Sequence, residues 1–369
     1  MLSPNCFKPE WIRAKATELK PVDPLLLEKC VHALALLGHL SESGLDFLFK
    51  GGTSMLLHLQ PIRRLSIDID IISAAPRREL EGVLESIKAK APLLRYEEDH
   101  RGDRGLPNRR HFKFFYQSMD PNFTNGAFVL LDVVEETRCP HQRLRLPINV
   151  PFVEVEREVL VTLPTIESLL GDKLTAFAPT TVGVPLVLED GRPGDTMQIA
   201  KQMFDIGELF DAATDFQVVR QVYDGTFALE AEYREHRFTR EAALRDTLWA
   251  SLGIASELLR GDNPSAETRS LRAGWRRVGS HLIQHRFGLD EARVAAGKAA
   301  LLATAMLTKP DKLDLAALRY VDSAESRTRI IGQSIVKAEW QALNRIKGAN
   351  PSAFHYWHAA DELNRIKPG

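Results

Sequence analysis

Between residues 65 and 72 the chain alternates apolar and acidic side chains, with Ile67, Ile69 and Ile71 set against Asp68 and Asp70. That pattern restricts what the segment can become. Residues two apart on a β-strand leave from the same face, so the stretch reads as a buried strand with both carboxylates aimed together. Two carboxylates side by side repel each other unless a cation lies between them. Their oxygens suit Mg2+, which takes a few carboxylates and completes its shell with phosphate and water. Just ahead, residues 45–49 read as a short apolar strand, Gly51-Gly52 as a turn, and residues 54–59 as a short helix ended by Pro61. Backbone N–H groups at such a helix start can hold phosphate oxygens. No Gly-Lys-Ser/Thr closes the turn, which excludes a Walker A loop. Singly, an Asp-x-Asp is a common solvated face and a glycine pair a common turn. Together they point to metal-assisted nucleotide chemistry.

The run Lys50-Gly51-Gly52-Thr53-Ser54, followed by Arg64-Leu65-Ser66-Ile67-Asp68-Ile69-Asp70, resembles the polymerase-β-like nucleotidyltransferase superfamily. Within it, the sequence is most similar to toxin nucleotidyltransferases of the AbiEii/MenT type. Three later stretches extend the resemblance. Residues 127–134 form an apolar run broken only by Asp132. A lone charge in a buried strand is costly unless it is paired or metal-bound, which makes Asp132 the natural third ligand. The alternative is a strand-end acid beside Glu135 and Glu136. In residues 165–177, Lys173 lies among Leu169, Leu170, Leu174 and Phe177. By itself it reads as a surface lysine, whereas the resemblance implies a cation that meets the nucleotide triphosphate. In residues 198–210, Lys201 and Asp205 are i, i+4 and read as a surface ion pair. The resemblance instead sets Asp205 beside Lys173, orienting it or assisting the acceptor hydroxyl. The chain departs from the family by offering Lys201 where members commonly carry Arg-Asp, and by a glycine- and proline-bearing insertion over residues 180–196.

The resemblance implies a Mg2+-dependent nucleotidyltransferase, with two ions (or Mn2+ in their place) on Asp68, Asp70 and Asp132. Lys50, Gly51, Gly52, Thr53, Ser54, Arg64, Ser66 and Lys173 would receive the NTP. It implies transfer of a nucleoside monophosphate to an acceptor, RNA such as the tRNA 3′ end, within a type IV-like toxin–antitoxin or abortive-infection system that has a cognate antitoxin protein. A protein or small-molecule acceptor, and a non-catalytic binding module, are the rival readings.

The rest of the chain sets the frame. Residues 9–19 and 25–40 have helical apolar spacing, a helix is expected near residues 77–89, and residues 96–99 with 110–117 read as a hairpin. A strand over residues 127–135 and short strands within 152–163 follow. Beyond residue 164 the pattern is almost wholly helical, with breaks near residues 261–264, 309–310 and 348–351. The expectation is an α+β, mixed-sheet nucleotidyltransferase core over residues 1–163. A helical domain over 164–369 would carry the nucleotide-contacting lysine and an acceptor or partner surface. Length of 369 residues allows two such domains. A net charge of −1 gives no global basic field, so RNA contact must be local. Local candidates are Arg101, Arg104, Arg109, Arg110 and Lys113, and the Trp275-Arg276-Arg277 run. The first is more often a solvated hairpin loop, and the second is an equally unspecific surface. His281 and His285 lack the glutamate of a His-Glu-x-x-His zinc site, and His355 and His358 sit in an aromatic stretch suited to packing. Three scattered cysteines exclude a disulfide scaffold. With no long apolar run and no charged-then-apolar leader, a cytoplasmic protein without membrane contact is expected.

Overall fold

The computed structural model describes residues 1–19, 22–88, 90–99, 108–283, 285–310 and 312–365. In chain order the elements are α1 (Pro9–Glu18), α2 (Pro24–Ser41), β1 (Leu48–Lys50), α3 (Gly51–His58), β2 (Ile69–Ser73), α4 (Arg77–Ile87), β3 (Leu93–Glu98), β4 (Arg109–Tyr116) and β5 (Ala127–Glu135). A hairpin of β6 (Arg143–Pro147) and β7 (Leu160–Pro164) follows. The helices α5 (Ile166–Ala176), α6 (Thr196–Ala212), α7 (Phe216–Tyr233), α8 (Arg240–Ala255), α9 (Ala266–Arg277), α10 (Leu289–Thr308), α11 (Ala324–Ile331) and α12 (Pro351–Arg365) complete the chain. The α+β expectation holds.

Two compact units divide these elements. The first comprises Met1–Thr165 with Ser280–His285, and the second Ile166–Gly279 with Arg286–Gly369. In the first, five strands form one mixed sheet in the order β1-β2-β5-β4-β3. β2 and β5 are parallel, while the other neighbours are antiparallel. One face carries Ile69, Ile71, Phe112, Phe114, Val129, Leu131 and Val133, which join Leu34, Leu37, Leu80 and Leu84 of α2 and α4 in a single apolar core. α2 can be buried along most of its length because its residues are apolar on nearly every side. Its start is fixed by Pro24 and by Asp23, whose carboxylate accepts from the Leu25 N–H at 2.9 Å.

β2 is shorter than the 65–72 strand read from alternation. It begins at Ile69 because the backbone ahead of it finds other partners. Leu65 N–H donates to the His281 carbonyl and Ile283 N–H to the Arg63 carbonyl, each at 2.8 Å. The Asp68 carbonyl accepts from the Thr53 hydroxyl at 2.6 Å. β6 escapes pattern reading because its Arg143 and Arg145 alternate with only partly buried leucines.

The second unit is helical. α10 is buried from Ala295 through Met306, and its alanines let neighbouring helices approach closely. Gly171 of α5 has a similar use, since a methyl there would come within 2.7 Å of the Val219 carbonyl on α7. Among the described residues no helix is long and apolar enough to cross a membrane.

Candidate active site

The sheet register assembles the site. Asp70 of β2 pairs with Lys50 of β1 on one side and with Asp132 of β5 on the other, and Asp132 in turn pairs with His111 of β4. Side chains at matched positions on adjacent strands share a face, so Lys50, Asp70, Asp132 and His111 make one lateral row opposite the apolar core. Asp70 and Asp132 are thus neighbours held by main-chain hydrogen bonds rather than by side-chain preference. Asp132 Oδ1 lies 2.7 Å from His111 Nδ1.

The glycine pair is shaped around this row. Gly51 has a φ of +77°, where side chains are strained, and a methyl on it would fall 2.0 Å from Asp70 Oδ2. A methyl on Gly52 would fall 2.6 Å from Arg64 Nη2 and 2.9 Å from Ser66 Oγ. Gly51 therefore touches Asp70, while Gly52 borders Arg64 and Ser66. Arg64 is buried, and its Nη1 donates to the Leu65 carbonyl at 3.1 Å.

Asp68 sits one residue ahead of the β2 ladder, whose first pair is Ile69 with Leu131. Lys29 of α2 faces it. Burial pushes the Lys29 ammonium below its ordinary value, and the Asp68 charge pulls it back up. The hydroxyls of Thr53 and Ser54 serve the fold, which leaves their backbone N–H groups as the phosphate donors expected of the helix start. Both residues are fully buried, and their hydroxyls donate to the carbonyls of Asp68 (2.6 Å) and Gly51 (2.8 Å). Their side chains tie the turn to the strand and offer no hydroxyl hydrogen outward.

In the helical unit, Lys173 Nζ on α5 lies 3.0 Å from Asp205 Oδ2 on α6. Lys173 is only 5% exposed and Asp205 not at all. Burial overturns the surface setting that the residues alone gave to Lys173 and to Lys201 with Asp205, and Lys173 beside Asp205 is the neighbour the resemblance implied. The partner of Asp205 across the helices is one that i, i+4 spacing could not show.

Several of the basic side chains expected at a surface are paired with other groups. Arg110 is buried, with Nε and Nη2 donating to both Glu98 oxygens at 2.9 Å and Nη2 also to Glu81 at 2.9 Å. Lys113 pairs with Asp99 at 3.2 Å, while Arg101 and Arg104 lie outside the described residues. Trp275 Nε1 donates to Glu257 at 3.0 Å, Arg276 pairs with the same carboxylate, and Arg277 donates to Thr196 Oγ1 at 2.8 Å. Among the described residues, Arg109 is exposed, while Arg110, Lys113, Arg276 and Arg277 have acidic or hydroxyl partners. His355 bonds the Leu318 carbonyl at 2.9 Å, and His358 stacks on Phe354.

Two site neighbours went unread in the sequence, His111 and Lys29. His111 carried a weak signal, since it shares the polar phase of β4 with Lys113, opposite Phe112 and Phe114. Lys29 carried none, because its place on α2 says nothing about the strand-end it faces.

Carboxylate oxygens are the right donors for Mg2+. Among the described residues no group of three or more His, Cys, Asp or Glu side chains is placed to hold a metal ion by itself. What the register supplies is the adjacent pair Asp70 and Asp132. That fits a cation whose shell is finished by nucleotide phosphates and water, the usual arrangement for Mg2+.

A glycine turn closed on one of two adjacent strand carboxylates is an arrangement suited to nucleotidyl transfer. The family model described as nucleotidyl transferase AbiEii toxin, type IV toxin–antitoxin system, matches residues 35–326, and the chain belongs to that family. Comparison with curated proteins returned no match. Among solved structures the chain is similar to JHP933 from Helicobacter pylori, at 14% identity and a TM-score of 0.39, covering 76% of this chain and 93% of that one. It is also similar to an antigenic nucleotidyltransferase-like protein from Paracoccidioides brasiliensis, at 13% identity and a TM-score of 0.34, covering 56% and 89%.

Proposed function

We propose that this toxin transfers a nucleoside monophosphate from an NTP to RNA, with the tRNA 3′ end as acceptor, and that a cognate antitoxin protein opposes it. The observation that carries the reading is the in-register pair Asp70–Asp132 with Gly51 closed against Asp70. The acceptor oxygen forms a bond to the α-phosphorus as the bond to the β-phosphate oxygen breaks and pyrophosphate leaves. Asp132 is the carboxylate that takes the acceptor hydroxyl's proton. Asp70 and Asp132, with Asp68 as the further ligand the resemblance implies, would hold Mg2+, which when bound offsets the charge of the triphosphate and of the leaving pyrophosphate. Backbone N–H groups at Gly51, Gly52, Thr53 and Ser54 point phosphate oxygens along the start of α3, with Lys50, Arg64 and Ser66 beside them. Lys173, oriented by Asp205, is the further cation assigned to phosphate charge. Its contribution is electrostatic and positional.

The test is incubation of the purified protein with each α-labelled NTP, Mg2+ and total RNA. Label should appear on RNA, be strongest with tRNA, and vanish with chelator and in Asp70→Asn. Label on protein alone would replace the acceptor assignment. Normal transfer by Asp70→Asn would overturn the site.

A further inference from the structure

The third carboxylate of the site does not stand alone. Asp132 has Asp70 as its register partner on one side and His111 on the other, and His111 Nδ1 lies 2.7 Å from its Oδ1. A carboxylate that has lost its proton can only accept, so Nδ1 carries the hydrogen and donates it. We infer that His111 is a positioning residue for nucleotidyl transfer, holding the Asp132 carboxylate by Oδ1 so that Oδ2 is kept for the reaction.

The fold makes the histidine a fixed support. β4 and β5 stay in unbroken register from Arg109↔Val134 to Tyr116↔Ala127, so the His111 backbone cannot slip along Asp132. On its other side, the His111 carbonyl accepts from Asp99 N–H at 2.7 Å. Phe112, next in sequence, is buried in the core on the opposite face and pins the strand from beneath. The His111 and Asp132 side chains are 19% and 30% exposed, enough for a reactant to reach the carboxylate and little enough to shield the bond from water.

An aspartate on a strand can swing its terminal torsion over a broad range. One charge-assisted hydrogen bond removes most of that freedom. Partners of this kind, set behind a group that binds a cation or a proton, commonly contribute about 10–100-fold to affinity or activity. The inference rests on the reading of Asp132 as a reaction carboxylate, and the experiment separates the two.

Three variants of the full-length protein suffice. His111→Phe keeps the ring and removes the donor. His111→Asn places an amide N–H where Nδ1 stands. Asp132→Asn removes the charge itself. Each is followed by thermal denaturation, by kcat and KM for NTP in transfer to tRNA, and by Mn2+ titration of the nucleotide-free protein read by electron paramagnetic resonance. Asp132→Asn should be inactive. His111→Phe should melt within a few degrees of the parent, lose about 10–100-fold in kcat with KM within twofold, and bind Mn2+ about tenfold more weakly. His111→Asn should recover most of both losses. Wild-type kcat and Mn2+ binding in His111→Phe, with Asp132→Asn inactive, would overturn the inference and leave the function standing. Equal losses in His111→Asn and His111→Phe would also overturn it, because the donor would then not be what matters. An active Asp132→Asn would remove the reading beneath it.

Discussion

Gly51→Ala is the perturbation for which the structure gives the clearest arithmetic. At φ +77° a methyl would lie 2.0 Å from Asp70 Oδ2, 2.8 Å from Cγ and 3.0 Å from Cβ. Two separate effects follow. Any side chain in the left-handed region costs about 1–2 kcal/mol. Ordinary contact begins near 3.4 Å, so the carboxylate oxygen must also retreat by about 1.4 Å. The Asp70 backbone cannot supply that retreat, since it is bonded between Lys50 and Asp132. The side chain turns instead, and a misplacement of about 1 Å in a reacting group costs about 100-fold in rate. Gly44→Ala isolates the first effect, because Gly44 has a φ of +85° and nothing within 4 Å of the added methyl. Thermal denaturation and initial rates of label transfer from α-labelled NTP to tRNA are measured on both. Gly44→Ala should lose about 1–2 kcal/mol, a fall of a few degrees in melting temperature, and Gly51→Ala at least as much because its methyl also displaces the Asp70 carboxylate. Only Gly51→Ala should lose transfer, by about 100-fold or more. If its rate lay within twofold of Gly44→Ala, the closure of Gly51 on Asp70 would have no part in the chemistry.

Three further outcomes are expected. Lys173→Met removes the ammonium beside a fully buried Asp205 and should cost about 3–5 kcal/mol, whereas Lys173→Met with Asp205→Asn should regain most of that stability without regaining transfer; wild-type transfer by the double variant would reduce the pair to a structural role. Thr53→Val removes the bond to the Asp68 carbonyl and should destabilise by about 1–2 kcal/mol with KM for NTP unchanged, and a tenfold rise in KM would place the hydroxyl on the ligand after all. Burial alone would push the Cys139 thiol up, but hydrogen bonds and charge from His141, with Arg143, bring it down to about 7, and its Sγ lies 3.4 Å from His141 Nδ1. Since the thiolate is the nucleophile, iodoacetamide labelling of Cys139 should rise as pH passes through 7, and His141→Ala should move that rise upward; Cys30, fully buried with its thiol pushed up to about 12, should stay unlabelled in the folded protein.

What could be read from the sequence, and what could not, follows from how far apart the determinants lie. β5 spans Ala127–Glu135, the stretch expected of it, because an apolar run broken only by Asp132 marks both its extent and its odd residue. The glycine pair and Asp70 were legible for the same local reason. The start of β2 was misjudged, since the partners that take Arg63 and Leu65 away from the ladder come from residues 281 and 283, over two hundred positions later. The inward turn of the Thr53 and Ser54 hydroxyls was not legible, because a hydroxyl near a glycine turn can face a ligand or the fold, and only tertiary packing decides. The same holds for Arg110, whose guanidinium turns inward to Glu81 and Glu98.

The candidate site shows the limit most sharply. An acid interrupting a buried strand declares that something must answer its charge, and Asp132 declared this openly. Which groups answer depends on sheet order and register, and these arise from pairings between strands that are distant in the chain. β5 runs parallel to β2 and antiparallel to β4. A one-residue slip in either ladder would send Asp70 or His111 to the core face, so the burial of Ile69, Ile71, Phe112 and Phe114 is what sets the acids and the imidazole side by side. The apolar face thus specifies the polar one: the site's geometry is stored in the isoleucines and phenylalanines that never touch a substrate. Substitutions that shift those residues should damage transfer before they unfold the protein.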